Sequence, residues 1–353
     1  MAQDLSTVHG NRALSSLSVA LENDDRKYLL YRMCGRRKVK TQSGFFMQHG
    51  TEALTKTGAG GGSTKFLANV TSPGAPATIE TQTVSQKNYR CNRYSMRSLV
   101  TDEEVAQSDD PLSPILDASK TLRSKLLNDM EFLLARVAAD YDGYNASHND
   151  QLTTGANGTS WHKSSAAGTG SEPLTNIRDG RMVVEKATGY ETNTLVLSAA
   201  TKYHLDDHND LSSILQYTQE DYLSGEGIPP YLRGLRIIKG SAVASTAAPG
   251  AAHAGDYLFG DHDESTVANQ PCAIICYVPP SNSIGIRQFA SFIWLDAADV
   301  TTGQYGVSMR MYRDEAGRGW WVEVAITLDI KPGSVDGSSL ITSAYMISRA
   351  AIP

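Results

Sequence analysis

The sequence predicts an α+β protein in which one discontinuous domain is interrupted by a second. Three observations carry that expectation. One long amphipathic stretch, 111–142, has a helical apolar stripe. Two β-like flanks, at 39–48 and 83–96, enclose a stretch rich in Gly, Ser, Thr and Ala. After a mixed α/β segment the chain returns to strands at its end, so those strands would have to pair back near the long helix.

The long stretch reads PLSPILDASKTLRSKLLNDMEFLLARVAADYDGY from Pro111 to Tyr144. Leu112, Ile115, Leu122, Leu126, Met130, Leu133, Val137 and Tyr141 recur at spacings of three, four or seven, which is one face of a helix. Ser113 supplies an N-cap hydroxyl, and Pro114 follows where a missing N–H costs nothing. Gly143 is the expected stop. From Pro114 to Asp142 the helix would run roughly 44 Å at about 1.5 Å per residue, long enough to span a domain.

Residues 1–25 are polar, with only short apolar runs such as Leu14 to Leu21, and suggest a short helix or an extended arm. Residues 26–40 carry a basic run, Arg36-Arg37-Lys38 within it, expected as a solvated or subunit-facing strip. Between the β-like flanks lies Gly58-Ala-Gly-Gly-Gly-Ser-Thr-Lys65. It is not a phosphate loop, because that pattern needs Lys before the Ser or Thr and here Lys65 follows Thr64. A projecting two-stranded ribbon fits better, and an isolated ribbon is marginal in water, so it would rest on a neighbour. Thr101 caps a short helix start ahead of the long helix, and 145–172 is loop-like with Trp161 as its large apolar anchor.

Pro173 to Thr188 is a second helix with Ser171 as N-cap and Gly189 as stop. Thr194 to Leu197 is a buried strand, Ala199 to Leu205 and Asp210 to Tyr217 are short helices, and Gly234 to Gly240 is a strand. The Ala-rich 241–256 is a surface loop. Cys272 to Val278, Phe289 to Leu295, Gly306 to Arg313 and Trp320 to Ile330 are strands by alternation and by β-branched or aromatic content. Arg313 to Gly319 is the turn joining the last two, and 340–347 closes the chain with another strand.

Composition narrows the function classes. The chain has 353 residues, enough for two or three compact units. Apolar residues make up 41% and charged residues 20%, which suits a globular protein. A net charge of −6 argues against whole-protein affinity for DNA. No apolar run approaches the ~20 residues of a membrane span. The first residues have neither the charged start nor the apolar core of a signal peptide, so a cytoplasmic origin is expected. Cys34, Cys91, Cys272 and Cys276 form no zinc pattern and are expected as reduced, partly buried thiols.

Concentrated chemistry is scarce. His204 and His208 stand at i and i+4, a possible metal pair with Asp207, but Leu205 occupies the place where a zinc protease carries Glu. Two surface histidines at a helix turn are the plainer reading. Asp261-His-Asp-Glu264 is an acidic turn, at best a weak cation site. No Gly-x-Ser-x-Gly elbow is present. No catalytic, cofactor or metal residue is therefore assigned, and a metal-dependent hydrolase on His204, His208 and Asp207 is kept only as an alternative.

Several segments in order resemble the major capsid proteins of tailed bacteriophages, the Hong Kong-97-type fold. They are Thr188-Gly-Tyr-Glu-Thr-Asn-Thr-Leu-Val-Leu-Ser198, Tyr203 to His208, Ile214 to Thr218 and Gly234 to Val243. Trp161 ahead of Glu172-Pro173-Leu174, Ala273 to Pro279, and Ile341 to Ile347 add to them. The resemblance covers about 30–350. It implies an N-terminal arm at 1–40, an extended β-ribbon loop at 41–97, a peripheral domain at 98–189 and 296–353 around the spine helix, and an axial domain at 190–295. It also implies a structural, non-enzymatic protein that self-assembles as pentamers and hexamers into an icosahedral head around double-stranded DNA. The expected partners are other copies, a portal, and scaffolding or decoration proteins, and the expected place is the virion after assembly in the host cytoplasm. An encapsulin-like nanocompartment shell is the alternative on the same fold. Some relatives remove a long N-terminal scaffolding segment, and the few residues ahead of the ribbon here suggest a separate scaffold or none. One relative cross-links a loop Lys to a peripheral Asn. Lys56 or Lys65 could serve, but 296–353 contains no Asn, so no such link is expected.

Overall fold

The computed structural model describes residues 27–49, 84–108, 113–153, 159–161, 171–211, 228–245, 247, 252, 255–260, 270–279, 288–294, 307–333 and 340–350. The chain opens with α1 (Leu30–Met33), β1 (Gly35–Val39), β2 (Ser43–His49), β3 (Val84–Arg90) and β4 (Asn92–Thr101). Then come α2 (Asp102–Gln107), α3 (Pro114–Ala138), β5 (Asn149–Gln151), α4 (Pro173–Thr188), β6 (Thr194–Ser198) and α5 (Ala199–Asp206). The remaining strands are β7 (Tyr231–Leu232), β8 (Leu235–Gly240), β9 (Val243–Ser245), β10 (Gly255–Tyr257), β11 (Cys272–Cys276) and β12 (Ala290–Trp294). Last are β13 (Val307–Asp314), β14 (Gly319–Lys331) and β15 (Ala344–Ser348).

The long helix is α3, with Pro114 in its first turn as expected. Ser113 precedes it without a side-chain capping bond. It ends at Ala138, one turn before the expected Asp142. The Tyr144 hydroxyl donates to the Ala138 carbonyl at 2.7 Å, and Asp140 accepts from the Asp142 amide at 3.2 Å. Those bonds satisfy the helix end and turn the chain into a short 3-10 turn, Tyr141–Gly143. Leu122, Leu126 and Met130 of the expected stripe are buried. Further along, the buried face passes through Leu127, Glu131, Leu134, Ala135 and Ala138, leaving Leu133 and Val137 half-buried.

α3 lies across β14 and β4 in a five-stranded sheet. β14 is its organising strand. Along one edge β14 pairs antiparallel with β4, from Gly319 opposite Thr101 to Leu328 opposite Asn92. Along the other it pairs first with β13, from Gly319 to Ile326, and then with β12, from Leu328 to Lys331. β1 runs parallel to β12. Val322, Val324, Ile326, Leu328 and Ile330 alternate inward toward α3 and are buried with it.

The second sheet has six strands in the order β5, β15, β11, β6, β8, β7. Every residue of β6 and of β11 is buried. Val196, Ile238, Ile274 and Met346 share one core with α3, while Leu195, Leu197, Ile275 and Ile347 share another with Trp161 and Ile177 of α4. Both faces are covered, which is why these strands read as continuous apolar runs, not as alternation. Ser198 caps α5 through its hydroxyl, and Gly189 ends α4 with φ 75°, a left-handed conformation that glycine adopts without a Cβ penalty.

Several expectations need correction. Residues 28–39, expected within an arm at 1–40, are part of the body. Leu29, Leu30, Met33 and Cys34 are buried in the main core, and β1 is a sheet strand. β12 belongs to the five-stranded sheet although it lies within 190–295, and β15 belongs to the six-stranded sheet although it lies within 296–353. The Ala-rich 241–256 contains the short antiparallel pair β9 and β10. Ser171 does not cap α4, whose N-cap is Glu172; its hydroxyl meets His208 instead. The expected helix at 210–217, the centre of the ribbon, Lys56, Lys65 and the 261–264 turn lie mostly or wholly outside the described residues.

Candidate assembly surface

The ribbon forms as the flanking sequences predict. β2 and β3 pair antiparallel from Ser43 opposite Arg90 to His49 opposite Val84. The alternation of strand side chains gives the ribbon two different faces. On the inner face Phe46 and Tyr89 sit on Phe292 of β12, with ring centroids 5.2 and 4.8 Å away. The Tyr89 hydroxyl bonds Thr41 Oγ1 at 2.9 Å. A Cβ on Gly44 would stand 2.7 Å from that hydroxyl, so glycine is what lets Tyr89 cross β2. This root ties the ribbon to the five-stranded sheet.

The outer face is open and carries three large apolar side chains among polar ones. Phe45 is 71% exposed, Met47 61%, and Val84 is also exposed. Their cross-strand partners are Asn88, Gln86 and His49. Large apolar side chains gathered on a narrow ribbon are what a contact surface shows before it is covered.

A second apolar area lies on β13, at one edge of the five-stranded sheet. Met309 and Met311 are both at least half exposed. Their register partners, Val324 and Val322, face α3, so the two methionines continue the apolar face beyond the helix. Phe292 pairs with Asp329, on the opposite face of β14. Sheet parity therefore puts the ribbon root and the methionines on opposite faces of one sheet.

The face opposite α3 is polar and ordered. Glu323 takes Arg93 at 2.9 Å and Arg310 at 2.9 Å. Arg97 lies over the Trp321 ring at 4.5 Å. The Trp321 indole donates to Asp314 at 2.8 Å and holds that carboxyl below its usual range. At the far end of the sheet Thr101 and Glu104 form a reciprocal capping box, as Thr101 promised.

The chemistry-bearing residues do not converge. His208 is buried, with Nε2 3.1 Å from Ser171 Oγ and Nδ1 accepting from the Asp210 amide at 3.3 Å. Burial lowers its pKa, against a smaller opposing effect of Asp210. Among the described residues no three His, Cys, Asp or Glu side chains form a group that could hold a metal ion. All four cysteines are buried and unbridged, and burial pushes Cys272 and Cys276 up to about 12 and Cys91 up to about 11. Thiols held this far from ionisation are poor nucleophiles. Among the described residues no helix is long and apolar enough to cross a membrane.

One residue escaped the sequence reading. Glu131, in the middle of α3, is 1% exposed. Its carboxylate accepts from the Leu29 amide at 2.8 and 3.0 Å and from the Leu30 amide at 3.1 Å. It thus caps α1, whose own N-cap residue, Leu29, offers no side-chain bond. Burial raises its pKa to about 7 against the lowering effect of the two amides. Helical spacing places Glu131 outside the expected stripe, so no local signal marked it as buried.

No family model matches the chain, and no curated protein matches it. Solved structures do. A phage-related protein of Bordetella bronchiseptica superposes with a TM-score of 0.60 and 18% identity, over 94% of this chain and 95% of that one. The capsid of cyanophage P-SCSP1u gives 0.57 at 12% identity, over 94% and 90%. The fold is that of the Hong Kong-97-type capsid proteins. An encapsulin of Synechococcus elongatus shares the fold at a TM-score of 0.52 and 10% identity, over 99% of this chain and 95% of that one. These identities carry the fold and nothing finer.

Proposed function

We propose that the chain is the major structural subunit of a tailed-phage head, a capsid protein and not an enzyme. One observation carries the reading: the capsid fold spans nearly the whole chain and includes a rooted ribbon whose outer face holds Phe45 and Met47 in water. A face of that kind is stabilised by covering it, and the sheet beneath already covers the inner one. Residues 41–90 are then the extended loop that lies over a neighbouring copy, while 92–97, expected within it, belong to β4 of the five-stranded sheet. Residues 98–189 and 296–353 correspond to the peripheral domain and 190–295 to the axial domain, with the two strand exchanges described above. Copies would join by heterologous contacts into pentamers and hexamers and close as an icosahedral shell around double-stranded DNA. A portal and scaffolding or decoration proteins would complete the head, assembled in the host cytoplasm.

The encapsulin neighbour supports a second reading, a nanocompartment shell built on the same subunit. Purification of native particles separates the two. Particle mass by light scattering, with negative-stain images, tests assembly, and the contents test the class. Rings or shells holding DNA agree with the head. Shells holding a protein cargo and no DNA favour the nanocompartment. A chain that stays monomeric with its neighbouring genes co-expressed contradicts both.

A further inference from the structure

The five-stranded sheet is electrically polar along β14. At the ribbon end, residues 35–48 and 84–90 carry Arg36, Arg37, Lys38, Lys40, Lys87 and Arg90 and contain no Asp or Glu. β1 is the outer strand there among the described residues, and Arg37, Lys38, Lys40 and Arg90 are exposed. Asp329 on the adjoining strand is engaged locally, by Lys331 at 3.2 Å and by the Arg90 amide at 2.9 Å. At the other end the register sets α2 beside the β13–β14 turn, because Thr101 and Asp314 both pair with Gly319. That tip carries Asp102, Glu103, Glu104, Asp314 and Glu315 against Arg313 and Arg318. Arg313 is already taken by Asp102 at 3.0 Å and Glu315 at 3.6 Å. The ends are about 40 Å apart, at roughly 3.3 Å for each residue of β14. They cannot meet within one copy.

We propose that the basic strip is the docking surface for the acidic tip of a second copy, a head-to-tail contact that sets which end of one subunit meets which end of the next. It rests on the assembly reading above and adds the register of the contact. Two unlike surfaces on one chain make a heterologous interface, which closes into a ring when the rotation allows. Charges of this kind give orientation and encounter rate, while the apolar ribbon face supplies area. A strip whose role ends at keeping a free strand edge unpaired would retain that role with acids in place of cations. Charge reversal therefore separates the two roles.

Two variants of the full chain test this. Variant one is Glu103→Lys with Glu315→Lys at the tip. Variant two is Arg37→Glu, Lys38→Glu, Lys40→Glu and Arg90→Glu on the strip, which leaves two cations against four acids and so reverses its sign. All six side chains are exposed. Neither Glu103 nor Glu315 makes the α2 capping bonds. Alone, each variant faces like with like, and its threshold concentration for assembly should rise roughly tenfold or more at low salt. Mixed in equal amounts, the two variants can alternate around a six-membered ring so that each tip meets an opposite strip, and assembly of such rings should return toward the wild-type threshold. Recovery on mixing also shows that both variants are folded. The inference is overturned if either variant alone assembles like wild type, or if the mixture stays as poor as its components. Wild-type chain that never assembles would sink the assembly reading itself, so the two failures are distinct.

Discussion

The two sheets solve opposite problems. The six-stranded sheet is covered on both faces, by α3 on one side and by α4 and Trp161 on the other. Its inner strands β6 and β11 can be uniformly apolar because neither of their faces meets water. Among the described residues α3 covers one face of the five-stranded sheet, and the ribbon root covers part of the other. Its other face holds the arginine and aromatic ladder and the ribbon root, and β13 leaves Met309 and Met311 in solvent. Among the described residues the first sheet is covered within one copy and the second leaves apolar side chains in solvent, which on the reading proposed above another copy covers. The difference teaches where to look for stability and where to look for assembly.

The largest effect on stability should come from the sheet buried on both sides. Ile274→Ala, at a side chain with no exposure, should cost about 2–5 kcal/mol in urea unfolding of the isolated subunit. A cost below about 1 kcal/mol would mean that this sheet is not the self-sufficient one.

Next is the tertiary cap. Glu131→Ala strands the buried Leu29 and Leu30 amides and should cost about 2–4 kcal/mol. Glu131→Gln keeps a carbonyl for them, and its pH dependence is the sharper probe. The folded pKa, about 7, lies above the reference 4.5, so the folded protein holds this proton more tightly than the unfolded chain. For this group stability is greatest below about pH 4.5 and falls as pH rises to about 7. Glu131→Gln should remove that fall and be relatively more stable at pH 8. Thermal melts across this range check it, and parallel curves for the two proteins would refute it.

Smaller again is the sheet's far end. Thr101→Ala removes half of the capping box and should cost about 1 kcal/mol, read by chemical unfolding.

The sequence was most legible where the signal is local. Thr101 with Glu104, Gly189 after α4, the Arg313 to Gly319 turn and the flanks of the ribbon all declare themselves within a few residues. It was least legible where a partner is remote. Glu131 looks like a surface acid until the Leu29 amide, more than a hundred positions earlier in the chain, arrives beside it. Residues 28–39 read as an arm because Arg36-Arg37-Lys38 suggests a solvated run. On β1 Arg37 and Lys38 are exposed and Arg36 lies half-buried over the Tyr31 ring, while the backbone pairs with Ala290 to Trp294. β12 and β15 were assigned by chain order, but sheet membership depends on long-range pairing, which local pattern does not encode. At the surface, Phe45, Phe46 and Met47 form a contiguous apolar run in a ribbon flank, which does not itself separate the two faces. Which face stays open was fixed only by Phe292 seating the other one.

The most direct test of the central claim compares wild type with Phe45→Ser/Met47→Ser. Both side chains are exposed, so the subunit's stability should change by no more than about 0.5 kcal/mol. Mass by light scattering at one protein concentration should show rings or shells for wild type and free subunits for the variant. Identical masses for the two proteins, with identical melts, would contradict the claim that this ribbon face is where one copy is completed by another.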